Sequence, residues 1–217
     1  MWAYIKDNKI EQIYQRPKSL VLGEVRYPSN MFTKYTDAEK AAIGIYPVED
    51  SGTKGDDRFE YTSQATYTWS ASNKKVTTSY TITEKSLVDT EAKDDSGNNI
   101  LDEKDNKTYN YGLKTQAKNL TKKQANDFIK QFNWLVERSI YDSSKAIPDV
   151  VKTYVAAIKT DCAEIETAID NASDMAAFKL LYQDTYNYDS NKNIVSVKEI
   201  ARINRWSDNY DVKQYVR

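Results

Sequence analysis

The hydrophobic pattern predicts an α+β fold: a β-rich N-terminal half of hairpins plus one short helix, then an antiparallel helical hairpin and an irregular C-terminal arm. Two observations carry this reading. Up to about residue 82, apolar residues recur in short alternating runs separated by turn residues. From Thr121 they recur every three to four positions over two long stretches. Four segments follow: an N-terminal β module with a short helix at 1–48, a β-hairpin and polar arm at 49–120, a helical hairpin with a short third helix at 121–182, and a C-terminal docking extension at 183–217.

Residues 2–5 and 10–14 flank the turn Asp7-Asn8 and read as a hairpin anchored by Ile5, Ile10 and Ile13. Residues 20–22 and 25–27 flank Gly23-Glu24 and read as a second one. Pro28 ends the pairing because it has no N–H to give. Thr36-Asp37-Ala38-Glu39 is a capping-box sequence and starts a short helix to Ile43. Gly44 suits the left-handed position after it, and residues 45–48 leave extended.

Tyr61, Ser63, Ala65, Tyr67 and Trp69 stand at period two, as do Val76, Thr78, Tyr80 and Ile82 after a turn at 72–75. This predicts an antiparallel hairpin with one aromatic face. Residues 89–107 are polar, with a tight turn at 94–98 and Ile100-Leu101 as the apolar pair of a protruding arm. Ala125, Phe128, Ile129, Phe132, Leu135, Val136 and Ile140 mark one helix face, and Val151, Tyr154, Val155, Ile158, Cys162, Ile165 and Ile169 a second that begins at Pro148. Ser173 is the expected cap of a third helix at 175–182. Beyond it the pattern loses its period, with Val197, Ile200 and Ile203 as a short helical face at most.

Composition narrows the chemistry. The chain has no histidine, which removes Ser-His-Asp and Cys-His catalysis and most zinc sites. It has 31 basic and 32 acidic residues, so no net field draws phosphate or anionic lipid, and neither nucleic acid nor a membrane is an expected partner. Its first residues lack a basic-then-apolar leader and no run approaches ~18 apolar residues, so the expectation is a soluble protein made without a secretion signal. One cysteine, Cys162, excludes an internal disulfide and reads as a small buried hydrophobe.

Asp94, Ser96, Gly97 and Glu103 fall near calcium-loop spacing, but the first ligand position is Ala92, so a solvated turn is the better reading. The carboxylate pairs Asp102-Glu103 and Glu49-Asp50 lie in loops without an apolar pocket. Lys118, Lys122 and Lys123 read as a solvated helix end. Neither a metal nor a cofactor is expected.

The runs Arg16-Pro17, Val25-Arg26-Tyr27-Pro28-Ser29-Asn30-Met31-Phe32 and Thr36-Asp37-Ala38-Glu39-Lys40-Ala41-Ala42-Ile43-Gly44-Ile45-Tyr46-Pro47-Val48 resemble the N-terminal module of tail-associated structural and tail-fibre assembly proteins of tailed bacteriophages. Asn133-Trp134-Leu135-Val136-Glu137-Arg138, Ile147-Pro148 and Ile165-Glu166-Thr167-Ala168-Ile169-Asp170-Asn171 resemble segments of their helical part, in the same order. The family pattern often has Asp-Trp where this chain has Asn133-Trp134.

The resemblance spans roughly residues 1–48 and 108–182. It implies a non-enzymatic virion component of the tail or tail fibre, made in the host cytoplasm and contacting other virion proteins in multiple copies. The alternative is a fibre assembly chaperone absent from the finished particle; a glycan-binding or glycan-degrading protein is a third reading. Seventeen tyrosines suit protein interfaces. The partner-facing candidates are Tyr61, Tyr67, Trp69, Tyr80, Trp134, Trp206, Tyr210 and Tyr215.

Overall fold

The computed structural model describes residues 1–216; Arg217, the last position of the expected C-terminal extension, lies outside them. The fold is α+β, and the chain divides into two compact units, Met1–Glu84 and Lys85–Arg217. The division falls inside the segment 49–120 that the sequence pattern treats as one piece, because strands from both sides of position 48 share a sheet.

In the first unit, β1 (Trp2–Lys6) and β2 (Lys9–Tyr14) form a hairpin whose turn residues Asp7 and Asn8 are both left-handed, at φ 49° and 65°. That is the type I′ geometry that matches strand twist. A second hairpin joins β3 (Leu20–Leu22) to β4 (Val25–Tyr27) around Gly23. One helical turn that the pattern does not reveal, α1 (Met31–Lys34), precedes α2 (Asp37–Ala42). The expected capping box is formed: the Thr36 N–H donates to Glu39 Oε2 at 2.7 Å and the Glu39 N–H to Thr36 Oγ1 at 3.3 Å. Gly44 then turns the chain at φ 80° so closely past β1 that a Cβ would sit 2.6 Å from the Ile5 carbonyl oxygen. No other residue fits both the angle and the space.

The chain continues through β5 (Ile45–Glu49), β6 (Glu60–Thr62), β7 (Thr66–Ser70), β8 (Lys75–Ser79) and β9 (Ile82–Glu84). Five strands form one sheet in the order β2-β1-β5-β8-β7, parallel between β5 and β8 and otherwise antiparallel. Its edges curl together: β7 lies against β2, and the Trp69 indole N–H donates to Asn8 Oδ1 at 2.8 Å. The inner side buries Ala3, Ile5 and Val76 among Ile10, Ile13, Tyr46, Val48, Tyr67 and Trp69. On the other side of β1 and β5, Tyr14, Leu20, Met31, Phe32 and Ile45 form a second core, sealed by Trp2 and Tyr4. Neighbouring residues of β1 thus point into different cores, as a strand buried on both faces requires.

The single long hairpin expected over 61–82 is two ladders. β7–β8 belongs to the main sheet, whereas β6–β9 is separate. At the break the Ser63 hydroxyl accepts the Thr81 N–H at 2.9 Å.

In the second unit, β10 (Thr90–Glu91) and β11 (Tyr109–Asn110) make a short stalk that carries two small hairpins. Three backbone bonds close a ring: Ala92 N–H to Thr108 O, Ile100 N–H to Ala92 O, and Thr108 N–H to Ile100 O, each 2.9 Å. The polar arm is therefore a three-way hairpin junction with an eight-residue spacing, ordered by backbone bonds rather than by burying Ile100 and Leu101.

Helix α3 (Leu113–Lys130) begins eight residues before the expected Thr121. Thr121 is buried mid-helix, its hydroxyl donating back to the Ala117 carbonyl at 2.9 Å. The apolar stripe expected to continue to Ile140 breaks at Gln131-Phe132, and a separate helix α4 (Asn133–Tyr141) follows with Val136 and Ile140 exposed. Helix α5 (Asp149–Asn171) starts after Pro148 as expected and runs antiparallel to α3, as the pairs Lys118–Asp170 (2.8 Å) and Lys122–Glu166 (3.1 Å) show. Helix α6 (Met175–Leu180) is capped by Asp174, whose Oδ1 accepts the Ala177 N–H at 2.8 Å, and not by Ser173.

The C-terminal arm is more regular than its sequence. It forms an antiparallel hairpin, β12 (Thr185–Tyr188) and β13 (Ile194–Glu199), which places Val197 in a strand and not on a helix face. Two 3-10 turns follow, Arg202–Asn204 and Tyr210–Tyr215. They bury Ile203 and Val212, the latter against Phe132, Leu135 and Val151.

Candidate protein-interaction surface

Six of the eight aromatic candidates serve the chain's own packing. Tyr67 and Trp69 line the interior of the curled sheet, with Trp69 and Tyr46 ring centroids 4.5 Å apart. Tyr80 donates to Asp50 Oδ1 at 3.2 Å, and the Lys54 ammonium lies 5.1 Å from its ring centre. The expected single aromatic face over 61–82 is therefore absent: its members are split between an interior, a polar contact and the outward-facing Tyr61. Trp134 donates to the Tyr215 carbonyl at 2.9 Å under the Arg138 guanidinium, and Tyr215 packs on the Phe132–Leu135 core. Trp206 stacks on Phe128 at 5.4 Å. Only Tyr61 and Tyr210 are well exposed, at 63% and 81%.

The polar candidates are also occupied locally. Asp94 Oδ1 accepts the N–H groups of Ser96 and Asn98, both at 2.9 Å, which is a turn and not a cation cradle. Asp102 does the same for Lys104 and Asn106, at 2.8 and 2.9 Å, and Asp50 accepts from Thr78 at 2.7 Å. These hydrogen bonds hold all three carboxyls below the usual carboxylate range. Burial, reinforced by Glu166, pushes the Cys162 thiol up, away from thiolate chemistry. Lys118 and Lys122 are drawn into pairs along α5. Among the described residues no cluster of three metal-ligating side chains occurs, and no helix is long and apolar enough to cross a membrane.

Exposed apolar side chains remain on several elements, among them the end of α4, the hairpin junction and β12–β13. Ile140 and Tyr141 end α4 at 74% and 91% exposure. Leu101 and Tyr109 stand out from the hairpin junction, and Tyr188, Ile194, Val195 and Val197 from β12–β13. The sequence carried a signal for this last site in a recurring turn. Asp94 to Asn98, Asp102 to Asn106 and Asp189 to Asn193 share the spacing Asp-x-x-x-Asn, with a left-handed fourth residue in each: Gly97, Asp105 and Lys192 at φ 84°, 60° and 65°. In each turn the aspartate caps two later N–H groups and the asparagine side chain. Such a loop marks the tip of a short hairpin. No protein-family model, curated protein or solved structure matches this chain.

Proposed function

We propose that the chain is a non-enzymatic structural component of a tailed-phage virion, at the tail or its fibres, and that it acts by presenting protein–protein interfaces to other virion proteins. The observation that carries this reading is surface area. The chain exposes 14950 Å². A compact protein of its mass exposes about 10,200 Å², and two separate compact bodies of the sizes of its two units about 12,300 Å². The surplus over even the second figure exceeds the ~800 Å² that one partner contributes to a stable interface. Exposed apolar side chains on the hairpins and at the end of α4 are part of that surface, where a monomer gains nothing from them. The engaged carboxylates and the absence of histidine fit a role without chemistry.

Mass spectrometry of purified particles of the phage that encodes the chain tests this. Stoichiometric presence is the expected result. Abundance in the infected cell with absence from the particle overturns it in favour of a fibre assembly chaperone.

A further inference from the structure

We infer that the β12–β13 hairpin is a self-association site, packing face to face on the same hairpin of a second copy of this chain in a two-fold arrangement that sets the tip of each over the root of the other.

The pairing register sorts the hairpin's side chains. Tyr186 stands opposite Val197 and Tyr188 opposite Ile194, so these four share one face; Asn187 stands opposite Ser196 on the other. On that second face the Asn187 amide donates to Ser196 Oγ at 3.0 Å, which marks it as the polar side. Tyr188, Ile194 and Val197 are 60%, 59% and 48% exposed, and every residue of β13 is exposed. A two-stranded ribbon with an uncovered apolar face is marginal in water and gains stability from a second layer. The layer does not arrive at the strand edge: the register shifts at Val195 and at Lys198, and such bulges twist an edge away from further pairing.

Three features favour a second copy as the occupant. The four residues that share this face, Tyr186, Tyr188, Ile194 and Val197, are uncharged and the chain's net charge is -1, so two identical faces meet without repulsion. A two-fold contact demands self-complementarity, and the hairpin has it. Its tip, Ser190-Asn191-Lys192, is small and polar with one exposed cation, and its root borders a polar groove of about 420 Å³ lined by Gln183, Asp184, Tyr186, Ala201 and Asn204. Placing tip over root sets Lys192 of one copy at Asp184 of the other, twice per dimer. The groove and Ile200, 45% exposed beside the root, extend the contact beyond the hairpin face toward the ~800 Å² per copy of a stable interface. The inference does not depend on the virion reading, since it concerns the purified chain alone.

Sedimentation equilibrium of the full-length chain tests it. Wild type should show a monomer–dimer equilibrium, and the double variant Ile194→Ser/Val197→Ser should raise the dimer Kd more than about tenfold with an unchanged circular-dichroism spectrum. A charge exchange tests the geometry. Lys192→Glu and Asp184→Lys chains should each be monomeric alone, because like charges meet twice, and should dimerise when mixed, because both contacts are restored. Should Asp184→Lys fail to fold through loss of its bond to the Ala201 N–H, isotope-filtered NOEs between Tyr188 rings and Ile194 methyls of differently labelled wild-type copies replace it. A wild type that stays monomeric to millimolar concentration, a dimer unmoved by the double variant, or a dimer without Tyr188–Ile194 intermolecular NOEs overturns the proposal.

Discussion

Phe132 and Glu91 show how differently single residues act in the second unit. Phe132 is buried, packs edge-on to Tyr154 with centroids 5.8 Å apart, and touches the Leu135–Val151 core. Phe132→Ala should cost about 3 to 5 kcal/mol, read as a lower midpoint in urea unfolding; an unchanged midpoint would place the ring outside the core. Glu91 is exposed and works by connection. It pairs with Lys107 and hydrogen-bonds Asn99, so one carboxylate ties the stalk to both small hairpins, and the Lys107 contact holds its pKa below the ordinary value. Glu91→Gln should leave the global melt in place while amide exchange over 92–108 accelerates. Asp89 is a third case: it accepts from the Gly112 N–H at 2.8 Å and the Thr115 hydroxyl at 3.0 Å, and so caps α3 from 23 residues away. Asp89→Ala should lower stability by about 1 kcal/mol, with faster exchange confined to the first turn of α3.

Among the elements, the three Asp-x-x-x-Asn turns share one dependence on pH. Asp94, Asp102 and Asp189 have folded-state pKa values below the ordinary 3.8, with the Asn98, Asn106 and Asn193 backbone N–H groups as the leading causes. A lowered pKa means the charged form is favoured by folding. The contribution is complete above the unfolded value and is lost as pH falls through the folded one. The hairpins at 93–107 and 185–199 should therefore loosen together below about pH 4 while α3 and α5 persist. Residue-resolved NMR on an acid titration checks this; simultaneous loss of helices and hairpins would contradict it. The helices were only partly legible. The start of α5 follows from Pro148, a local signal. The start of α3 does not, because the Ser86 and Leu87 carbonyls accept the first N–H groups of the helix and Asp89 caps it, all from remote sequence. Gly112 must also lack a Cβ there, since one would strike the backbone of Val88. The inward face of α3 before Ala125 holds Leu113, Ala117 and Thr121, of which two are small or polar, so the apolar period shows only from Ala125 onward.

Across the whole chain, the segment after Gln183 separates into two roles. Residues 200–216 cover the helices: Ile203 and Val212 are buried, the Ser207 N–H donates to Asp161 Oδ2 at 2.6 Å, and Arg202 pairs with Glu164 at 2.7 Å. Deleting residues 200–217 should expose Phe132, Leu135 and Val151 and give an aggregating product. Replacing residues 186–197 by a short glycine-serine turn should leave the melt of the helices unchanged. Light scattering and calorimetry on the two variants distinguish these roles, and a soluble, cooperative 200–217 deletion would show the segment to be dispensable. The sequence by itself determined the α+β class, the two N-terminal hairpins, the capping box at Thr36 and the proline-started α5, because each rests on interactions within a few residues. Tertiary structure alone decided which aromatics remain outside, where α3 begins, and that residues 90–110 form a ring of three hairpins. Those outcomes depend on which surfaces meet across long sequence separations. Trp69 with Asn8 and Asp89 with Gly112 are such meetings, and neither partner's local pattern records the other.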